Sequence, residues 1–232
     1  LGAALLEAGR AADAERVYFC TGALIAPRWI LTAAHCFRTP GGTTIGPERV
    51  SAEIGAGALR DVPREAQVRV RRIVAHPDYD PATQDDDIAL VELAEEAGPL
   101  TAAIETRRTA DPALATALGF GSFYEGRLAF AARTRTGAPA GQHSDRLREA
   151  EVALVPLASC ARRLDGGGRV DATRICAGPS ADDVCLADSG GPLIVADAER
   201  NDRIAGIASS GSGCAVRRPV TVYTRVSAYA GW

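Results

Sequence analysis

Three short stretches of this chain carry side chains of types that do chemistry. The first is Cys185-Leu186-Ala187-Asp188-Ser189-Gly190-Gly191-Pro192. Its two glycines permit a tight path with positive φ or close backbone approach. Pro192 fixes φ and blocks a helix just before the apolar run Leu193-Ile194-Val195. Ser189 is therefore presented at a turn entering a strand, where its hydroxyl becomes a nucleophile only if a base takes its proton. The second stretch is Ala33-Ala34-His35-Cys36. Two alanines clear space around the imidazole, and a bridge between Cys36 and Cys20 would pin the turn that carries it. The third is Asp85-Asp86-Asp87, abutting the apolar Ile88-Ala89-Leu90-Val91. A carboxylate against such a run is costly unless it is paired. Taken singly, each has a plainer reading: a Gly-Pro turn, a packed histidine, a solvated acidic turn. The remaining histidines, His76 and His143, lie in polar loops and are assigned no chemistry.

The rest of the chain must position these groups. Its 232 residues suit one large domain or two small ones, and 47% apolar composition supplies a core. A net charge of −3 with mixed signs gives no basic footprint for nucleic acid. No apolar run reaches membrane-spanning length. Six cysteines, an even number, fit disulfides and an oxidising compartment. A metal site is disfavoured because neither CxxC nor HExxH spacing occurs. Methionine is absent, so Leu1 is not expected to be a native start, and any targeting segment is expected to have been removed or to lie outside this sequence.

Short β-like runs with turn punctuation recur along the chain. Leu1 to Gly9 reads as a short helix or a strand with a loop. Val17–Cys20 and Gly22–Ile25 read as strands bent at a glycine, followed by Trp29–Thr32. Arg69–Val74 is a strand with one solvated face. Glu95 to Thr109 reads as a crossover, and Leu114–Leu118 opens a second series of strands. Ser122 to Ser144 is loop-like, Glu149 to Leu157 a strand, and Arg203–Ala208 and Thr221–Val226 the last strands. Two such series predict an all-β fold of two barrels.

In order along the chain, Leu31-Thr32-Ala33-Ala34-His35-Cys36, Asp87-Ile88-Ala89-Leu90 and Asp188-Ser189-Gly190-Gly191-Pro192 resemble the trypsin/chymotrypsin family of serine endopeptidases. The resemblance covers nearly the whole chain. It implies two six-stranded antiparallel β-barrels with the active site in the cleft between them. Residues 1–108 would carry His35 and Asp87, and residues 109–232 would carry Ser189 and the specificity pocket. The resemblance makes Ser189 the nucleophile of an acyl-enzyme mechanism, His35 its base and then acid, and Asp87 the group that orients the imidazole. Backbone N–H groups of Ser189 and Ala187 would form the oxyanion hole. The family almost always has glycine where Ala187 stands; an alanine held at positive φ would cost roughly 1–2 kcal/mol.

The same carry-over implies disulfides Cys20–Cys36, Cys160–Cys176 and Cys185–Cys214. Asp188 is the expected partner of a new N-terminal ammonium in a zymogen; the family's Ile-Val-Gly-Gly-like beginning is missing from this sequence, so further family residues are expected to precede Leu1. Asp183 occupies the pocket-floor position that selects arginine or lysine. Val184, Ser209, Gly211 and Thr221 are expected to contact substrate. Thr221 stands where trypsin has glycine, which makes an elastase-like preference for small residues the alternative, and Ser210 replaces the usual tryptophan platform. The segment from Arg60 to Arg64 is shorter than the family's calcium loop, so no metal and no cofactor are expected. The implied protein is a secreted protease acting on proteins or peptides and open to proteinaceous inhibitors, without a nucleic-acid partner or a membrane span. A protease-like binding protein with impaired catalysis is the alternative from a different class.

Overall fold

The structure is a computed structural model that describes residues 2–7, 17–39, 41–55, 58–59, 67–107, 114–120, 122–125, 146–164, 170–179, 184–197, 199–212 and 219–232. Strands β1 (Gly2–Glu7), β2 (Val17–Ala26), β3 (Trp29–Thr32), β4 (Val50–Ile54), β5 (Val68–Ala75) and β6 (Ala89–Leu93) close into a barrel in the order β1-β2-β3-β6-β5-β4. Leu1–Gly9 thus resolves as a strand over its described part. β2 is one continuous strand, not two bent at Gly22. The glycine serves packing instead, since a Cβ there would lie 2.5 Å from Ile30 Cγ2.

Alternation sets which side chains enter this barrel. Ala89, Val91 and Leu93 of β6 are buried, whereas Leu90 and Glu92 between them are half-buried. Glu92 accepts hydrogen bonds from Arg71 and Arg72, and the Arg72 guanidinium also lies over the Trp29 ring. The solvated face read for β5 is therefore an ion-paired one, worth little because it is exposed.

Strand β7 (Ala103–Ile104) lies within the expected crossover and runs parallel to a later strand at Arg203 and Ile204. The second barrel comprises β8 (Leu114–Gly119), β10 (Arg148–Leu154), β11 (Arg174–Pro179), β13 (Pro192–Ala196), β14 (Asp202–Gly211) and β15 (Thr221–Arg225). Its order is β13-β8-β10-β11-β15-β14, and β13 pairs back onto β14 to close it. Closure leaves neither six-stranded sheet with a free edge. β9 (Ser122–Glu125), inside the stretch read as a loop, pairs with β12 (Val184–Ala187) outside the barrel. The strand read as Glu149 to Leu157 ends at Leu154. Pro156 follows, and Leu157 opens the helix α1 (Leu157–Ala161), because proline suits the entry of a helix and not the middle of a sheet.

Each barrel has its own apolar centre, the first around Leu5, Ile30, Phe37 and Val91, the second around Ile175, Leu193 and Tyr223. Ile204 and Ile207 of β14, with Val226, pack into the first cluster. The two barrels are therefore joined by buried apolar surface at β14, the strand that also reaches the candidate site.

Candidate active site

His35 sits in a 3-10 turn, Ala34–Phe37, that follows directly on β3. Ala34, Cys36 and Phe37 around it are buried, which anchors the turn from three sides. Cys36 is disulfide-bonded to Cys20 of β2, and Phe37 meets Phe19 edge-on at 6.1 Å. The imidazole is thus held by its neighbours in sequence, as the flanks suggest.

Asp87 is fully buried, and its carboxylate meets three donors. Oδ1 accepts from the His35 backbone N–H at 2.8 Å. Oδ2 pairs with His35 Nδ1 at 2.7 Å and accepts from Ser209 Oγ at 2.5 Å. An ionised carboxylate can only accept, so Nδ1 carries the proton and Nε2 is left as an acceptor. The Asp87 carbonyl takes a further bond from Thr224 Oγ1 at 2.9 Å. Tyr79 lies close enough that burial and the Asp87 charge push its phenol up to about 12.

The two acids before Asp87 are not the solvated turn that three acids in a row suggest. Asp85 accepts from Arg174 at 2.6 Å, and Asp86 from the Tyr229 phenol at 2.8 Å. Arg174 also donates to the Thr83 carbonyl at 3.2 Å. Gln84 and Asp86 both have positive φ, 56° and 54°, a conformation that costs a residue with a Cβ of order 1 kcal/mol or more. These contacts from the second half of the chain hold the kinked segment that delivers Asp87.

Ser189 is exposed at the tip of its turn. Gly191 N donates to Asp188 O, Gly190 N to Ala208 O, and Ala208 N to Gly191 O, each at 2.9 Å. Gly190 has φ +79°, and a Cβ there would lie 2.1 Å from Thr32 Oγ1, so glycine is required twice over. Gly191 answers to close approach alone: its Cβ would fall 2.6 Å from the Leu118 carbonyl oxygen. On the other side, Thr21 N donates to the Ser189 carbonyl at 2.9 Å. Among the described residues no hydrogen bond joins Ser189 Oγ to His35. Such bonds are commonly long without substrate and tighten on binding.

β14 links the two groups. Its Ala208 bonds the serine turn, and the next residue, Ser209, bonds Asp87. In the pairing with β15, Ala208 faces Tyr223 and Ser210 faces Val222, so Ser209 is the extra residue of a bulge. A bulged residue leaves the ladder and can be re-aimed. The hydroxyl of Ser209, a residue expected at the substrate, bonds Asp87.

The family model described as Trypsin matches residues 8–232. The chain belongs to the trypsin family of serine proteases. Curated relatives include coagulation factor XII of Sus scrofa, 34% identical across 92% of this chain and 35% of that protein. Transmembrane protease serine 11E of Mus musculus is 34% identical, over 92% of this chain and 47% of its own length. The venom peptide isomerase heavy chain of Agelenopsis aperta is 30% identical, over 93% of this chain and 86% of its own. The chain spans about a third of the length of factor XII.

Within this trypsin-family chain the other expected site residues fall as follows. Asp188 is buried, with its carboxylate packed on Gly119, where a Cβ would lie 1.9 Å from Asp188 Cγ. Its charge, added to burial, pushes the Tyr18 and Tyr223 phenols up. Ala187 ends β12 opposite Ser122. Val184 begins β12. Gly211 faces Thr221 across β14 and β15. Cys160–Cys176 is bridged as expected. Asp183 and Cys214 lie outside the described residues, and with Cys214 the expected Cys185–Cys214 bridge.

Ligand-type atoms of Cys20, His35 and Cys36 come within 4.8 Å of one another. Both sulfurs are spent in the disulfide, so no thiolate is available to a metal there. Among the described residues, no helix is long and apolar enough to cross a membrane.

Proposed function

We propose that this chain hydrolyses peptide bonds with Ser189 as nucleophile, His35 as general base and acid, and Asp87 as the group that orients and stabilises the imidazole. The carrying observation is the fully buried Asp87 carboxylate, bound to His35 Nδ1 at 2.7 Å, which leaves Nε2 as the acceptor. Attack by Ser189 Oγ would pass its proton to Nε2, and the imidazolium would form against a carboxylate already in place. His35 would then protonate the leaving amine, and water would release the acyl group by the reverse transfers. N–H groups of Ala187 and Ser189 would receive the oxyanion. The chain would divide near 108/109 into a half holding His35 and Asp87 and a half holding Ser189.

The substrate reading is cleavage after arginine, and less well after lysine. Asp183 at the pocket floor would accept a bidentate pair from the planar guanidinium, a geometry that an ammonium cannot match. Thr221 supports the competing reading, since its half-buried side chain stands beside Tyr223 and would make the pocket shallow for small residues. Asp188 would pair with an N-terminal ammonium on activation. The disulfides Cys20–Cys36 and Cys160–Cys176 support secretion, because such bridges persist in oxidising compartments. Protein or peptide substrates, and proteinaceous inhibitors of the same shape, would be the partners.

The test is labelling by an active-serine phosphonate, with Ser189→Ala as control, followed by a peptide library varied at the residue before the cleaved bond. Labelling lost in Ser189→Ala is expected, with arginine preferred. A wild-type protein that never labels would point to the binding-protein alternative. A preference for small apolar residues, unchanged in Asp183→Ser, would establish the elastase-like one.

A further inference from the structure

Ser189 is presented from the second barrel and His35 from the first, so their alignment depends on what fixes the serine turn to the first barrel. That junction is Thr21, a fully buried residue of β2. Its N–H donates to the Ser189 carbonyl at 2.9 Å, and its carbonyl accepts from Thr32 Oγ1 at 2.7 Å. A Cβ on Gly190 would lie 2.4 Å from that same carbonyl oxygen, so the turn rests on Thr21 without slack. Thr32 ends β3, three residues before His35, and Cys20, the residue before Thr21, is bridged to Cys36. The Thr21 backbone therefore meets the serine turn on one side and the histidine turn on the other.

Any residue could supply those backbone contacts, but the side chain adds a second set. Thr21 Oγ1 accepts from the Phe120 N–H at 3.3 Å and shares a hydrogen bond with the Tyr18 phenol at 2.6 Å. The Tyr18 and Phe120 rings meet at 6.0 Å, closing the space around the hydroxyl. Phe120 follows Gly119, on which the Asp188 carboxylate is packed, and Asp188 immediately precedes Ser189. One hydroxyl thus ties the end of β8, which walls the serine turn from behind, to the strand that holds the turn from the front.

We infer that Thr21 is a positioning residue, its hydroxyl clamping the Ser189 turn between β2 and the end of β8 so that the serine meets His35. The inference rests on the proposed role of Ser189. Thr21→Val keeps the β-branched shape and removes only the hydroxyl, leaving the Phe120 N–H and the Tyr18 phenol without it. Small misplacement of a reacting group lowers turnover steeply, so kcat per titrated active site should fall roughly 10–100-fold, with KM held within about twofold. Thr21→Ser should restore kcat to within about threefold of wild type. Amide exchange at Phe120 and Gly190 should quicken in the valine variant and recover in the serine variant.

Phosphonate labelling of wild type but not of Ser189→Ala first establishes the nucleophile, so failure there strikes the proposed function alone. The exchange measurement tests the clamp in either case. Unchanged exchange at both amides overturns the inference, as does a Thr21→Val protein that is less heat-stable yet keeps wild-type kcat.

Discussion

Removing the Ser209 hydroxyl tests how Asp87 is held. Asp87 is fully buried, and its three donors are His35 N, His35 Nδ1 and Ser209 Oγ, at 2.8, 2.7 and 2.5 Å. In Ser209→Ala the carboxylate loses one of them and cannot recruit bulk water in its place. A hydrogen bond to a charged group contributes about 1.5–3 kcal/mol. In a chain of this size each kcal/mol moves Tm by about 2–4 °C, so the variant should melt roughly 3–12 °C below wild type. The kinetic effect should be smaller than that energy implies. The bond exists before the reaction begins, and only an interaction that strengthens in the transition state raises the rate. The two His35 donors still fix the tautomer, so kcat/KM should fall about 3–30-fold, far short of the about 10⁴ that removal of the carboxylate charge costs such a triad. The assays are differential scanning calorimetry and turnover of a peptide ester on titrated enzyme. A loss near 10⁴ in a folded protein would show that Ser209 takes part in the chemistry and refute the orienting role. An unchanged Tm with unchanged kcat/KM would show that the hydroxyl does not hold Asp87.

Three further outcomes are expected. Arg174→Gln should lower the urea-unfolding free energy by about 1–3 kcal/mol, less than the 3–5 of a fully buried pair, because the Asp85 side chain is 30% exposed; no change would mean the pair contributes nothing. Glu53, 6% exposed, has its carboxyl pushed up by burial, and Oε2 accepts no hydrogen bond among the described residues. A raised folded pKa means the native state holds the proton more tightly, so stability is lost as pH climbs from the ordinary carboxylate range through the raised one. Glu53→Gln should therefore raise Tm at pH 7, with the gain gone at about pH 4; equal Tm values at pH 7 would refute the burial argument. Replacing Cys20 and Cys36 together by alanine opens a loop of sequence separation 16 and should cost about 3 kcal/mol in chemical denaturation, a loss below about 1 kcal/mol arguing against the chain-entropy account.

What could be read from the sequence was local. The Ala33–Cys36 and Asp188–Pro192 stretches announce tight geometry because the residues that create it are neighbours of His35 and Ser189. Asp87 could be flagged for the same reason, its partner being demanded by the apolar strand beside it. Arg174 gave no such signal, because its pairing with Asp85 spans 89 positions and depends on the start of β11 meeting the Asp85 turn across the fold. The bulge at Ser209 is a property of β14 and β15 together and is invisible in either alone. A threonine in β2 reads as an ordinary strand former until Phe120 and Ser189 are brought against it. The short parallel β7 could not be seen either, since two residues carry no period.

Those long-range partners share a direction, and that bears on how the site comes together. Ser209, Thr224, Arg174 and Tyr229 all reach from the second half of the chain to the segment Asp85–Asp87. In return, Thr21 and Thr32 reach from the first half to the serine turn. His35 by itself supplies Asp87 with two of its three donors. The third arrives only when β14 docks with Ile204 and Ile207 against the first apolar cluster. The apolar contact supplies non-directional attraction, and the polar contacts set the register in which it is satisfied. Each barrel has its own apolar centre, but the geometry around Asp87 and Ser189 belongs to the interface between them.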